Sequence, residues 1–310
     1  MPPLVYFHKQ YMPVSEAKIS IMTHAFHYGT ACFEGIRANW NPEKEQMYIF
    51  RMPEHYERLH KSCRILKINP GYTVEKLCQI TVELVEKSGY REDIYIRPLA
   101  YKSSEIIGPK LYDLEDDFFV HVATLPQYLD TEKGIKACVS SWRRTDDNMI
   151  PPRGKITGIY VNSALAKTEA HENGYDEAIM LSHDGHVSEG SGQNIFIIMD
   201  GRLITPPSSD NILMGITRDT VIKLARNELG MDTLERTIDR SELYIADECM
   251  VTGTASHITP VLEIDRRKIG DGKIGKITRQ LMGLYFDVIR GRNPKYMEWC
   301  APALRKTVKS

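Results

Sequence analysis

The chain has no excess of either charge. It carries 40 lysines and arginines against 41 aspartates and glutamates, a formal net charge of -1 at pH 7. Nucleic-acid binders ordinarily concentrate positive charge on one face, so no nucleic-acid partner is expected. The one basic cluster, Arg305, Lys306 and Lys309, reads as a solvated tail. No run of about 18 apolar residues is present, so no membrane span is expected. Met1 to Gln10 lack the charged-then-apolar order of a secretory signal. Six cysteines stand apart at 32, 63, 78, 138, 249 and 300. None has C-x-x-C spacing, which argues against a zinc site or disulfide framework and for reduced thiols in a cytoplasmic protein. Ten histidines are scattered without H-x-x-x-H spacing, so no metal is expected. Walker loops, G-x-S-x-G elbows, internal repeats and low-complexity tracts are absent as well.

What remains is an ordinary globular composition. The 310 residues are 42% hydrophobic and 26% charged, enough for one large or two medium cores. Leu125 to Gly134 reads as a linker, giving a smaller N-terminal α/β domain over 1–124 and a larger C-terminal domain over 135–310. Gly108 to Asp117 reads as a polar loop. Apolar residues spaced i, i+3, i+4 predict helices over Thr73–Gly89, after Pro53, over Tyr160–Glu172, and ending at Gly230 and Gly291. Thr73 suits an N-cap and Gly89 a stop. Short apolar runs predict strands at Met47–Phe50, Ile94–Tyr101, Phe118–Thr124, Ile135–Ser140, Glu177–Leu181 and Asn194–Met199. Asp184-Gly185 and Asp200-Gly201 predict hairpin turns. Hairpins mixed with scattered helices indicate an α+β fold.

Three segments carry possible chemistry. Pro151-Pro152-Arg153-Gly154-Lys155 sets a lysine just before a helix. Most such lysines are solvated, but a partly desolvated one there suits Schiff-base formation. Ser188 to Asn194 is glycine-rich and runs into a strand. It is either a plain hairpin arm or part of a site, and it is not a dinucleotide fingerprint because Ile195 replaces the third glycine. Gly215-Ile216-Thr217-Arg218 opens a helix, and Thr252 to Ser256 forms a Thr/Gly turn. Both can cradle an anion with backbone N–H groups, although Thr217 could equally be a simple cap. A lysine loop with two anion cradles suggests a phosphorylated cofactor.

Taken together, these segments resemble the fold-type IV, or class IV, pyridoxal-phosphate-dependent aminotransferases, most closely the branched-chain amino acid aminotransferases. The resemblance rests on Glu189-Gly-Ser191-Gly-Gln-Asn194-Ile-Phe196, Leu203-Ile-Thr205 and Leu213-Met-Gly215-Ile216-Thr-Arg218. It extends through His27-Tyr28-Gly29-Thr30, Phe33-Glu34-Gly35-Ile36-Arg37, Arg58-Leu59-His60, Tyr95-Ile96-Arg97-Pro98, Lys155 to Ala170 and Thr252 to Pro260.

The resemblance implies a two-domain α+β architecture and pyridoxal 5'-phosphate as cofactor. Lys155 would hold the cofactor covalently and move the proton, and Glu189 would face its pyridine nitrogen. Tyr160 would bond its phenolic oxygen, while Arg58, Ile216, Thr217 and Thr254 would hold its phosphate. For the substrate, Tyr95, Thr254 and Ala255 would bind the α-carboxylate. Tyr28 and Phe33 would line an apolar pocket, and Arg97 would take the distal carboxylate of glutamate. The implied activity is ping-pong transfer of an amino group between branched-chain L-amino acids and 2-oxoglutarate, in amino-acid biosynthesis. The same scaffold in related families serves (R)-amine and D-amino acid transaminases and aminodeoxychorismate lyase, which typically lack the Tyr95-x-Arg97 pair. Relatives are homodimers or larger, and Ile106-Ile107-Gly108 would reach a neighbouring subunit's site. Two departures stand out. Gln193 replaces an acid common there, and Ala123 to Tyr128 lacks a pocket tryptophan, for which Tyr128 is the candidate substitute.

Overall fold

The computed structural model describes residues 3–126 and 128–304, so the basic tail lies outside the described residues. By its contacts the chain divides into two compact units.

The first unit comprises the chain up to Pro126, Gly154–Gly158, and the chain from Asp287 on. Among the described residues its sheet has eight strands. They begin with β1 (Leu4–Phe7), β2 (Gln10–Pro13), β3 (Ala31–Phe33), β4 (Ile36–Asn41) and β5 (Gln46–Phe50), and continue with β6 (Ile94–Lys102) and β7 (Asp116–Thr124). The eighth, Cys300–Pro302, closes the edge against β5. Helices α1 (His24–Tyr28), α2 (Met52–Ile65) and α3 (Val74–Ser88) accompany it. The apolar spacing does its work here: Tyr56, Leu59 and Cys63 of α2 and Leu77, Ile80 and Leu84 of α3 are fully buried. Each such leucine or isoleucine contributes about 1.5–3 kcal/mol. The Thr73 hydroxyl accepts the Lys76 N–H at 3.2 Å, and Gly89 turns left-handed at φ 68° to end α3.

The long central strand β6 pairs with two successive short strands. Residues 31–33 of β3 meet Leu99–Tyr101, and residues 36–38 of β4 meet Ile94–Ile96. Glu34 and Gly35 interrupt the ladder between them. Pro98, which has no N–H to give, lies at this interruption and accepts the Glu34 N–H at 2.9 Å. A proline is thereby tolerated inside a central strand.

The second unit comprises the chain after Pro126 through Arg153, and Ile159–Phe286. Its nine strands, counted among the described residues, include β8 (Ile135–Val139), β9 (Glu177–Leu181), β10 (Val187–Gly190), β11 (Asn194–Met199) and β12 (Arg202–Thr205). The rest are β13 (Thr233–Glu235), β14 (Glu248–Gly253), β15 (His257–Ile264) and β16 (Arg267–Lys268). The order is β10-β9-β8-β15-β14-β11-β12-β13, with β16 on β15. Helices α4 (Tyr160–Glu172), α5 (Ile216–Leu229), α6 (Glu242–Ile245) and α7 (Lys276–Ile289) follow. Strand β8 lies parallel to β9 and β15, whereas most other pairs are antiparallel. That mixture is the expected α+β class. Asp200 and Gly201 both take positive φ, 48° and 73°, in a two-residue hairpin between Met199 and Arg202, as that dipeptide requires.

The division of residues departs from the sequence reading, which left all of 135–310 in the second domain. Gly154–Gly158 groups with the first unit because Phe33 N–H donates to Lys155 C=O at 3.0 Å and Cys32 bridges Ile156. The C-terminal residues return there because Cys300–Pro302 completes the first sheet.

Candidate active site

Lys155 sits between two anchors in the first unit. Its N–H donates to Ser62 Oγ on α2 at 2.9 Å, and its carbonyl accepts from Phe33. With the backbone held on both sides, the side chain extends so that Nζ lies 4.7 Å from the centre of the Phe33 ring. The same ring carries the Arg97 guanidinium at 4.4 Å. Arg97 Nη2 donates to Tyr95 Oη at 2.9 Å. Tyr95 and Arg97 alternate on β6 and so share one face of the sheet. Gly35 gives Tyr95 its room, since a Cβ there would lie 2.0 Å from the hydroxyl. Tyr28 is partly exposed, and its hydroxyl accepts the Gly108 N–H at 2.9 Å.

Arg58 is fixed by a residue to which the sequence reading gave no role. Glu34 is completely buried and accepts Arg58 Nε at 2.7 Å and Nη2 at 2.8 Å. His55 Nδ1 lies 2.7 Å from its Oε2. Burial alone would raise the Glu34 carboxyl. The Arg58 charge and hydrogen bonds, with that of His55, instead hold it well below the usual carboxylate range. Burial lowers His55 despite its hydrogen bond to Glu34, so a neutral imidazole donates to an ionised carboxylate. Glu34 lies within the Phe33–Arg37 motif, but its arginine partner stands 24 residues on and no local pattern in the sequence joins them.

The second unit holds the remaining predicted residues. Glu189 on β10 is buried, and each of its oxygens is engaged. Oε1 takes Arg144 Nη2 at 2.8 Å, while Oε2 takes Asn194 Nδ2 at 3.0 Å and the Leu213 N–H at 3.1 Å. Arg144 and Asn194 were not singled out from sequence for this work. Gly215 caps α5 with no side-chain hydrogen bond, so Thr217 is a buried residue within the first turn and not its cap. A Cβ on Gly215 would fall 2.0 Å from Asn194 Oδ1. Tyr160 opens α4. Thr254 and Ala255 form the turn between β14 and β15, where the buried hydroxyls of Thr252 and Ser256 meet no partner among the described residues.

Of the two departures, the first has a structural answer. Gln193 Nε2 donates to Glu177 at 2.8 Å, and Glu177 also receives Lys167 and the Ser191 hydroxyl. The amide thus joins a carboxylate where a second acid would repel it. Tyr128, expected to stand in for the missing tryptophan, instead packs its ring beneath Lys167 in a surface hollow with Leu129 and His171, which contains none of the residues expected to bind substrate.

Residues 31–264 match the family model of class IV amino-transferases. The chain belongs to the class IV aminotransferases. It is 55% identical over 301 residues to a probable branched-chain-amino-acid aminotransferase of Aquifex aeolicus, covering 97% of each chain. Among solved structures it resembles the branched-chain aminotransferase of Thermoproteus uzoniensis with norvaline (TM-score 0.91, 43% identity, 97% and 99% of the two chains covered). It also resembles the pyridoxal-phosphate form of the enzyme from Thermobaculum terrenum (TM-score 0.93, 39% identity, 98% and 99% covered). In this class IV aminotransferase the donor set fits that cofactor. A lysine amine suits an aldehyde, and a buried carboxylate suits a pyridinium. A helix start too close-packed for any side chain, beside a Thr/Ser turn with orphaned hydroxyls, suits a phosphate.

Proposed function

We propose that the protein is a branched-chain-amino-acid transaminase that passes the amino group from leucine, isoleucine or valine to 2-oxoglutarate. The observation that carries this reading is the Arg97 guanidinium, hydrogen-bonded to Tyr95 and lying over Phe33. A guanidinium among aromatic faces offers apolar surface to an aliphatic side chain and a partner to the distal carboxylate of glutamate. The names of its relatives support the same reading.

Pyridoxal 5'-phosphate supplies an aldehyde that condenses with amines and a ring that accepts charge from the α-carbon. Lys155 holds it covalently, and its Nζ carries the proton to and from the substrate α-carbon. Glu189 keeps the ring nitrogen protonated, and Tyr160 hydrogen-bonds the phenolic oxygen. Arg58, the N–H groups of Ile216 and Thr217, and Thr254 hold the phosphate. Tyr95, Thr254 and Ala255 bind the α-carboxylate, while Tyr28 and Phe33 line the side-chain pocket. We assign the enzyme to the cytoplasm. We also assign it to a homodimer or larger assembly in which Ile106-Ile107-Gly108 reaches the neighbouring site.

A half-reaction panel tests the reading. Branched-chain L-amino acids should bleach the cofactor's absorption band and 2-oxoglutarate should restore it. The band should be missing in Lys155→Ala. Turnover confined to D-amino acids or (R)-amines would overturn the substrate assignment.

A further inference from the structure

Arg144 has no place in the reading above, yet it is among the most buried cations of the second unit. Its side chain is 6% exposed and lies 2.8 Å from Glu189 Oε1. The backbone N–H donates to Leu181 C=O at 2.9 Å, and Nη1 donates to Ser163 Oγ at 3.3 Å. Nε is buried and meets no acceptor among the described residues. Stability alone is a weak reason for such a group. A buried ion pair is often no better than apolar residues of the same volume, and an unmet guanidinium nitrogen adds to the desolvation cost.

We propose that Arg144 is a positioning residue that keeps the proton on the cofactor's ring nitrogen by holding Glu189 as a weak base. The inference rests on the placement of Glu189 at that nitrogen. Carboxylate and pyridine then share one proton, and their titrations are coupled. A positive neighbour within hydrogen-bond distance favours the ionised carboxylate. The proton therefore stays on nitrogen, and the ring keeps its full capacity to accept charge. Asn194 Nδ2 and the Leu213 N–H act in the same direction from Oε2, but only as neutral donors. Without Arg144 the carboxylate becomes the stronger base and takes the larger share of the proton. The ring nitrogen moves toward neutrality while the aldehyde, the phosphate contacts and the substrate contacts remain. The loss should therefore fall on kcat rather than KM.

The test uses holoenzyme loaded with pyridoxal phosphate carrying ¹⁵N in the ring. In the wild type the ¹⁵N resonance should be that of a protonated ring. In Arg144→Met it should move toward the neutral position, with kcat down about tenfold or more and KM within about twofold; Arg144→Lys should restore part of both. An unshifted resonance in a folded, cofactor-loaded Arg144→Met would overturn the inference. Should that variant not fold, Arg144→Gln decides. A wild-type resonance and kcat in Arg144→Gln, with only the melting temperature lowered, would make Arg144 a structural residue and overturn the inference equally. Glu189→Gln separates this from the reading beneath it. If Glu189→Gln leaves the resonance unchanged, the placement of Glu189 fails. If Glu189→Gln moves it and the Arg144 variants do not, only the role of Arg144 fails.

Discussion

Glu34 meets Arg58 through two parallel hydrogen bonds, Nε to Oε1 and Nη2 to Oε2, with no solvent on the carboxylate. A bidentate pair fixes the plane of the guanidinium as well as its position. Glu34→Gln keeps the shape but sets a buried NH₂ group against a half-buried guanidinium. Removing one partner of a buried pair costs about 3–5 kcal/mol, and denaturant unfolding should show a loss of that size. Bound pyridoxal phosphate should also dissociate more readily, because Arg58 is no longer aimed. Unchanged stability together with unchanged cofactor retention would contradict both expectations.

The same cluster predicts an acid sensitivity. Burial lowers His55, so the folded protein binds that proton less readily than the unfolded chain. As pH falls through about 6.5, the unfolded state takes up the proton first and stability declines. The contribution is present above that pH and lost below it. Glu34, held below the usual carboxylate range, stays ionised through this window and loses its contribution only in stronger acid. His60 and His121, also lowered by burial, add to the slope. Unfolding free energies measured between pH 7.5 and about 5 should fall less steeply in His55→Gln than in the wild type. Parallel slopes would remove His55 from the effect.

The elements that declared themselves in the sequence were those with a local cause. Helix α3 has its stripe, its threonine cap and its glycine stop, and the Asp200-Gly201 hairpin has the one dipeptide that turn prefers. Strands β1 to β4 were not seen: three to six residues leave little room for alternation, and β4 buries both faces, Ile36 and Ala38 on one and the polar Arg37, Asn39 and Asn41 on the other. Lys155, Glu189 and Arg58 were conspicuous in the sequence as candidates because they sit in long spaced motifs. Arg144 and Glu34 were not, because what gives them a role is a partner dozens of residues away or a break in a ladder. The return of Gly154–Gly158 to the first unit depends on hydrogen bonds to Phe33 and Ser62, which no local pattern encodes.

Gly35 should be intolerant of even a methyl group. A Cβ there would lie 2.0 Å from Tyr95 Oη and 2.7 Å from Cζ, so the whole ring would have to swing away, carrying the hydroxyl from Arg97. In Gly35→Ala, KM should rise for leucine and glutamate alike, because the α-carboxylate contact proposed for Tyr95 would be common to both. Cofactor loading should remain at the wild-type level, since neither Arg58 nor Glu189 is touched. An unchanged KM for both substrates would show that Tyr95 moves freely and does not bind the carboxylate.

Arg97 offers the sharpest separation of substrates. Its guanidinium is shared between the Tyr95 hydroxyl and the faces of Phe33 and Tyr95, and only glutamate brings a second carboxylate to meet it. A charge-assisted hydrogen bond is worth about 1.5–3 kcal/mol, equivalent to a ten- to roughly hundredfold change in kcat/KM. In Arg97→Ala, kcat/KM for glutamate should fall by that amount more than kcat/KM for leucine. Leucine will lose something too, because Tyr95 is no longer oriented by Nη2, so the ratio is the quantity to measure. Equal losses for the two substrates would assign Arg97 to the support of Tyr95 and leave the distal carboxylate to another group.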